Sequence, residues 1–140
     1  TADTSGNYTM TAPANTSAVV RAKALSTAAG SGPGAARWDI RVLNNLGGGS
    51  PLYAIEGSPF DTGVVGQVRN LRAASGWSGF AGFTSTRAAA PFAILDTLYA
   101  AVQFVVAQGD PSLQLDPLEI FWSPENRARP TSGIRRAAGS

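Results

Sequence analysis

Carboxylates are the side chains in this chain that could perform acid–base chemistry, because histidine and cysteine are absent. Asp116, Glu119 and Glu125 lie close together in the sequence around an apolar segment. A glycosidase-type pair needs two carboxylates about 5 to 10 Å apart across a cleft. Residues 116 and 119, at the start of a strand, would face different directions and match this requirement poorly. We therefore predict that the chain is not an enzyme.

The residue types of this chain also argue against a metal site or a phosphate-binding loop. The absence of histidine and cysteine excludes zinc fingers, iron–sulfur clusters and thiol catalysis. Calcium could use Asp3, Asp61 or Asp110, but no run resembles an EF-hand loop. The glycine run at residues 47–50 lacks the lysine of a phosphate loop and does not open a helix. We expect no metal and no cofactor.

The charge balance is weak, with 11 Lys and Arg against 9 Asp and Glu. A formal net charge of +2 cannot by itself carry electrostatic binding to nucleic acid. One basic cluster, Arg127, Arg129, Arg135 and Arg136, forms a C-terminal arm. A solvated tail is the simpler interpretation, and contact with an anionic surface is the alternative. A composition low in lysine and rich in small polar residues favours an exported protein, extracellular or on the cell surface.

The chain is long enough for one domain, since it has 140 residues of which 44% are hydrophobic. Alternation of apolar and polar residues predicts strands. In residues 17–26, Val19, Lys23 and Leu25 share the outward face with Arg21. The predicted strands are residues 7–12, 17–26, 38–43, 52–56, 66–73 and 118–122. We predict an α+β fold, an antiparallel β-sheet or sandwich of about five to seven strands with one long buried helix.

That helix is predicted over about residues 86–108, where apolar residues recur at helical spacing. A cap from Thr84, Ser85 or Thr86 and a proline in the first turn, Pro91, mark its start. Gly109 follows its end. Asp96 interrupts the apolar run, so a helix of a soluble domain is favoured over a membrane span. We expect Asp96 to lie on a polar stripe or to pair with an arginine.

A glycine- and aromatic-rich loop, residues 75–83, precedes the helix. Trp77, Phe80 and Phe83 could plug an edge of the core or form an exposed patch, and burial is the usual fate of such side chains. We predict that they are buried. A carbohydrate- or peptide-binding module would instead expose Trp77, Phe80 and Trp122.

Residues 3–24 resemble the later strands of the carboxypeptidase regulatory-like, or transthyretin-like, module. The matching residues are Asp3, Gly6, Tyr8, Pro13 and Ala14. In that module an Asp-x-x-Gly-x-Tyr turn opens a strand, and a Val-rich strand returns after a Pro-Ala turn. The resemblance implies that the module's earlier strands are missing here, which would leave an open sheet edge.

Residues 18–126 resemble the segment that precedes the zinc site in secreted bacterial proteins with an HExxH metallopeptidase signature. The resemblance rests on Val-Arg-x-Lys-Ala within 19–24, Trp-Asp-x-Arg-Val (38–42), Leu-Tyr-Ala (52–54), Ala-Ser-Gly-Trp (74–77), Arg-Ala-Ala-Ala-Pro-Phe-Ala-Ile-Leu-Asp (87–96) and Trp-Ser-Pro-Glu-Asn (122–126). It implies a long helix backing a sheet. It provides no zinc ligand, because this chain contains no histidine.

Two functions remain open besides the carbohydrate- or peptide-binding module. The first is a non-enzymatic, exported structural or assembly module, such as a filament or scaffold subunit joined by β-strand addition through its termini. The second is an accessory or prodomain-like front fragment of a secreted zinc metallopeptidase. We expect self-association and neither nucleic-acid binding nor a membrane span.

The expected organisation is a transthyretin-like strand pair (1–28), a β-rich domain with the helix (29–126) and the basic arm (127–140). The expected interface residues are Tyr8, Met10, Val19, Arg127, Arg129, Arg135 and Arg136.

Overall fold

Seven short strands and one long helix make up the fold in the computed structural model, which describes residues 3, 6–30, 34–80 and 82–126. The elements are β1 (Ser17–Ala18), β2 (Arg21–Lys23), β3 (Leu25–Ala28), β4 (Trp38–Asn44), β5 (Ala54–Glu56), β6 (Phe60–Asp61), α1 (Ala90–Gln108) and β7 (Leu118–Trp122). The predicted α+β class is confirmed, and the strand count lies within the predicted range.

Residues 17–28 form one extended run, which we call the 17–28 run, and it meets three partners in succession. Its strands β1, β2 and β3 pair antiparallel with β6, β5 and β4, respectively. The run changes partner at Ala24. The Ala24 N–H donates to the Tyr53 carbonyl, and the Ala24 carbonyl accepts from the N–H of Val42. Burial alternates along the run, as the sequence pattern predicts, with the even-numbered residues turned inward.

The central strand β4 supplies the core. Ile40 and Val42 are fully buried on the face that α1 covers, while Asp39 and Arg41 form an ion pair on the other face. β7 lies beside β4 with Ile40 opposite Leu118, but the two strands run parallel because the chain crosses over through α1. The sheet is therefore mixed, and the prediction of a purely antiparallel sheet is wrong.

The helix begins four residues later than predicted, at Ala90. Its N-cap is Ala89, which makes no side-chain capping bond, so the predicted cap from Thr84, Ser85 or Thr86 is wrong. Pro91 lies in the first turn and Gly109 follows the last, as predicted.

The predicted burial of the helix holds for one face alone. Pro91 and Val102 are its buried residues, and Tyr99 contacts Trp38 of β4 with ring centroids 6.2 Å apart. The opposite face is open, and the Phe104 side chain is 68% exposed. A single mixed sheet can cover no more than one stripe of a helix. The prediction of a buried helix is therefore wrong for the opposite face, because no described residue forms a second layer over α1.

Two predicted strands are absent. Residues 7–12 and 66–73 form no strand ladder, although their sequences alternate. Single side-chain contacts connect the two segments to the fold instead, since the Tyr8 hydroxyl donates to the Arg69 carbonyl and the Arg69 guanidinium lies 4.1 Å from the centre of the Phe60 ring. A strand needs a partner, which alternation within the segment cannot supply.

The buried apolar core of the described residues is small. It consists of Ala24, Ile40, Val42, Leu43 and Val102. The contacts between elements are the strand ladders and the packing of α1 on β3 and β4. The described residues thus show a helix on the three-stranded sheet β3-β4-β7, with two-stranded sheets β1-β6 and β2-β5 beside it, and they do not show the predicted sandwich.

The aromatic loop is exposed, which contradicts the prediction that it plugs the core. Phe80 is 100% exposed, Trp77 is 55% exposed and Phe83 is 52% exposed. The loop turns back on itself through a bridge between Trp77 and Phe83, so its three aromatic rings project from the fold together. Aromatic residues in short sequence separation pack against one another here rather than against the small core.

Candidate functional site

One edge of the 17–28 run carries all of its sheet hydrogen bonds. The Val20 carbonyl accepts from Gly57, and the Ala24 N–H donates to Tyr53. The Thr16 carbonyl likewise accepts from the N–H of Thr62. In an antiparallel ladder, residues that bond to one neighbour alternate with residues whose N–H and C=O point to the other side. The backbone N–H and C=O groups of the even-numbered residues therefore point toward β4, β5 and β6.

The odd-numbered residues consequently present their backbone groups to the opposite side, which we call the open edge. It comprises Ser17, Val19, Arg21, Lys23, Leu25 and Thr27. Among the residues that the structure describes, no strand pairs along this side. An unpaired row of N–H and C=O groups is a template for an additional strand.

A groove of about 1240 Å³ runs alongside the open edge. The paired strands line part of it with Ala22 of β2 and Ile55 of β5, and Val20 lies just before β2. Its helical wall consists of Phe92, Leu95, Asp96 and Tyr99, and its far wall of Tyr8, Met10, Asn70, Leu71 and Ala73. Small-molecule pockets are typically about 300–1,000 Å³, so this groove has room for a segment of polypeptide.

The groove has a helical wall that is apolar apart from the Asp96 carboxylate, and a strand side with two cations. Phe92 and Leu95 of α1 are half-buried apolar side chains at the wall. On the strand side, Arg21 forms a cross-strand ion pair with Glu56, whereas Lys23 makes no ion pair among the described residues. Lysine on an edge strand is one of the devices that discourage unselective pairing. A segment bound here would place apolar side chains toward α1 and avoid further cations near Lys23.

The N-terminal segment, residues 7–12, lies along the far wall and is weakly held. Met10 is 71% exposed, and the one hydrogen bond that anchors residues 8–12 within the described chain is that of the Tyr8 hydroxyl. The turn after this segment is fastened on the paired side of the run, because Asn15 donates to the Gly63 carbonyl and Thr62 donates to the Pro13 carbonyl. The segment is therefore held away from the open edge of its own chain.

Three described residues lie together at the start of this segment. Asp3 accepts hydrogen bonds from the backbone and side-chain amides of Asn7, and Gly6 adopts a φ of 79°. That conformation favours glycine. Residues 7–12 follow without joining a sheet.

Carboxylates do not gather into a catalytic or metal-binding cluster in the described part of the chain. No group of three or more acidic side chains could hold a metal ion there. Asp61 and Asp110 accept local hydrogen bonds from Gly63 and Ser112. Such bonds stabilise turns. Asp96 is exposed on the groove wall, which agrees with the predicted polar stripe, and the predicted pairing with an arginine is not found among the described residues.

Three described side chains, Asp39, Arg41 and Tyr53, have shifted pKa values with structural causes, and the hydrogen bond with Asp39 raises the pKa of Arg41. The hydrogen bond from Arg41 lowers the pKa of Asp39 below its ordinary value of 3.8. Burial raises the pKa of Tyr53, whose hydroxyl donates to the Trp122 carbonyl over 3.1 Å. The Tyr53 ring also packs on Trp122 with centroids 5.6 Å apart. The Tyr53 contacts thus join the residue before β5 to the end of β7, whereas the Asp39–Arg41 pair lies within β4.

The predicted interface residues fall into two groups. Tyr8 and Met10 line the groove, and Val19 lies on the open edge. The basic cluster at residues 127–136 lies outside the described residues. Sequence reasoning missed Phe92, Leu95 and Leu71, because each resembles an ordinary core residue until the position of the groove is known.

Helix α1 is long and apolar enough to cross a membrane by length and composition alone. Its contacts with β3 and β4 place it over the sheet in this structure. No family model, curated protein or solved structure matches this chain.

Proposed function

We propose that this chain is a non-enzymatic, exported assembly module that accepts an extended segment on its open edge by β-strand addition. The observation that carries the proposal is the unpaired row of backbone groups on the odd-numbered side of the 17–28 run, beside a groove of about 1240 Å³. Main-chain hydrogen bonds provide affinity in this mode of recognition, and pockets for alternate side chains provide specificity.

The donor in this proposal is the 7–12 segment of a second copy of the chain. Its apolar side chains, Tyr8, Met10 and Ala12, alternate with Asn7, Thr9 and Thr11. A strand with this pattern would turn one apolar row toward α1 and a neutral polar row toward the side of Lys23. It carries no cation, which suits the charge of the open edge.

Release of the donor breaks few polar contacts. Among the described residues, detaching residues 8–12 breaks one hydrogen bond, that of the Tyr8 hydroxyl, which is worth about 1 kcal/mol. It also exposes the half-buried Tyr8 ring and takes Tyr8 and Met10 from the wall of their own groove. A new strand on the open edge regains several backbone hydrogen bonds of similar individual worth. The Asn15 turn, with a φ of 50°, provides the point at which the segment can change direction.

Donor and acceptor are different surfaces of the same chain, so the contact is heterologous. Such a contact closes into a ring or continues as a filament. The added strand would extend the sheet beyond the open edge in each subunit.

The experiment separates donor from acceptor. Deletion of residues 1–12 removes the donor and keeps the open edge, whereas Lys23→Pro keeps the donor and removes one outward N–H from the acceptor. Light scattering and negative-stain electron microscopy of the unmodified chain should show rings or filaments. Each variant alone should be a monomer of about the 14.4 kDa chain mass, or slightly less after deletion.

Mixing the two variants is the decisive step. The intact arm of Lys23→Pro should bind the intact edge of the deletion variant and give one-to-one dimers that grow no further. Leu46→Ser, which alters an exposed apolar side chain in another loop, is the matched control and should leave assembly unchanged. A monomeric unmodified chain, or assembly that survives the deletion, would contradict the proposal.

A front fragment of a secreted zinc metallopeptidase remains the second candidate, and one observation favours it. The open face of α1 and the outer side of β7 expose Phe104, Val105 and Phe121, which further polypeptide could cover. A reading frame that continues into an HExxH motif would support this candidate. A native C-terminus at Ser140, found by mass spectrometry of the natural protein, would support the assembly module.

A further inference from the structure

The aromatic loop is a built hairpin, which we call the aromatic hairpin and which comprises residues 76–80 and 82–84. Ser78 donates to the Gly82 carbonyl, and Thr84 donates to the Gly76 carbonyl. Gly79 and Gly82 have φ values of 90° and 95°, which allow the tight reversal at the tip. The hairpin therefore holds its aromatic side chains outward by a defined backbone and not by chance.

The exposed rings occupy two positions along the hairpin, its tip and its base. Phe80, at the tip, is 100% exposed. Trp77 and Phe83 stand at the base, in an edge-to-face pair with centroids 5.2 Å apart and planes 73° apart. An apolar ring at the tip and an amphipathic indole below it match the order in which a bilayer interface accepts such side chains.

The guanidinium of Arg87 packs against the aromatic rings at the base of the hairpin. The Arg87 guanidinium lies 3.8 Å from the centre of the Phe83 ring and 5.3 Å from that of Trp122. The Arg87 side chain is half-buried, so part of it reaches the surface beside the aromatic rings. A guanidinium that stacks on aromatic rings can still donate from its outer edge to a phosphate oxygen.

The sequence around the hairpin is free of acids. Residues 62–95 contain three arginines, Arg69, Arg72 and Arg87, and no aspartate or glutamate. A local excess of positive charge with exposed aromatic side chains is complementary to a surface that is anionic outside and apolar beneath.

We propose that the aromatic hairpin binds an anionic lipid surface, with Phe80 inserted into the interface, Trp77 at headgroup level and Arg87 beside the phosphates. A protruding, convex apolar tip fits a deformable bilayer. A polysaccharide chain stacks on coplanar rings, and the 73° angle between Trp77 and Phe83 does not provide such a platform.

The test is flotation of the full chain with vesicles of phosphatidylcholine alone and of phosphatidylcholine mixed with phosphatidylglycerol. The chain should bind the mixed vesicles and lose binding as salt rises, because exposed charges are screened within about 10 Å at 0.1 M salt. Phe80→Ser should weaken binding roughly tenfold, which corresponds to about 1.4 kcal/mol. Phe80 makes no packing contact that folding needs, since it is fully exposed.

Val68→Ser is the matched control, because Val68 is an exposed apolar residue outside the hairpin. It should leave binding within about twofold. Chain lacking residues 1–12 should bind vesicles as well as the full chain, which separates this proposal from strand addition. Equal binding by Phe80→Ser and the unmodified chain would overturn the proposal. So would absence of vesicle binding, or binding to insoluble polysaccharide in its place.

Discussion

Proline substitution at neighbouring positions distinguishes the two edges of the 17–28 run. Ala22 lies opposite Ile55, and the alternation set by Val20 and Ala24 turns its N–H toward β5. Lys23, the next residue, turns its N–H toward the open edge. Because proline removes a single donor, the same change at each position tests which side of the run is paired.

The expected costs differ. Ala22→Pro removes one ladder bond, worth about 1 kcal/mol, and leaves the Ile55 carbonyl without its donor, which costs about 1–3 kcal/mol more. Lys23→Pro should cost no more than about 1 kcal/mol, because proline is tolerated on strand edges. A difference of about 2 kcal/mol lowers the urea midpoint by about 1 M for a slope near 2 kcal/mol per molar.

Urea unfolding followed by tryptophan fluorescence measures this difference. It should be done with residues 1–12 deleted, so that every sample is monomeric under our proposal. Lys23→Ala controls for the lost charge and should match the parent within about 0.5 kcal/mol. Equal destabilisation by the two prolines, or a larger loss from Lys23→Pro, would refute the assignment of the open edge.

Three further predictions concern the framework. Gly76→Ala places a Cβ 2.6 Å from the Ser85 carbonyl oxygen, whereas Gly79→Ala meets nothing within 4 Å at a similar positive φ. The first should therefore destabilise the fold by at least about 1 kcal/mol more than the second in urea unfolding, and equal losses would contradict the packing at the hairpin base. Ile40→Ala should cost about 2–5 kcal/mol, because Ile40 is 1% exposed in a small core, and a loss under 1 kcal/mol in calorimetry would contradict that core. NMR titration should place the Asp39 pKa below 3.8, so its stabilising effect is present above that pH and is lost as pH falls through the lowered pKa. Arg41→Gln should return the Asp39 pKa to its ordinary value, and an unchanged titration would remove Arg41 as the cause.

The sequence predicted those elements whose signal is local. Alternation in residues 38–43 and 118–122 located β4 and β7, because in both strands apolar residues on one face are more buried than their neighbours. Proline and glycine marked the two ends of the helix, and the start was misplaced by four residues because no side chain caps it. The two-residue strand β6 was missed, since it follows Pro59 and is too short to alternate.

The errors concern contacts between distant parts of the chain. Residues 7–12 alternate as well as β3 does, but no neighbour pairs with them. The parallel direction of β7 depends on the crossover through α1, which no pattern within the strand encodes. The aromatic hairpin was expected in the core because aromatic residues are usually buried, and the small core of this chain has no place for it.

The same limit applies to the groove. Tyr8, Met10 and Val19 were expected at an interface from the sequence, but their relation to Phe92 and Leu95 depends on the packing of α1. Alternation indicates which side chains face inward. It does not indicate which edge of a strand remains unpaired, because that depends on the full set of partners.

Amide hydrogen exchange of the 17–28 run, resolved by residue with NMR, tests the open edge most directly. In the monomer lacking residues 1–12, the amides of Ala22, Ala24 and Ser26 should exchange slowly, and those of Lys23, Leu25 and Thr27 should exchange rapidly. Addition of a peptide with the sequence of residues 6–13 should then protect the second group and leave the first unchanged. Protection of both groups in the free monomer, or no new protection with saturating peptide, would contradict the account.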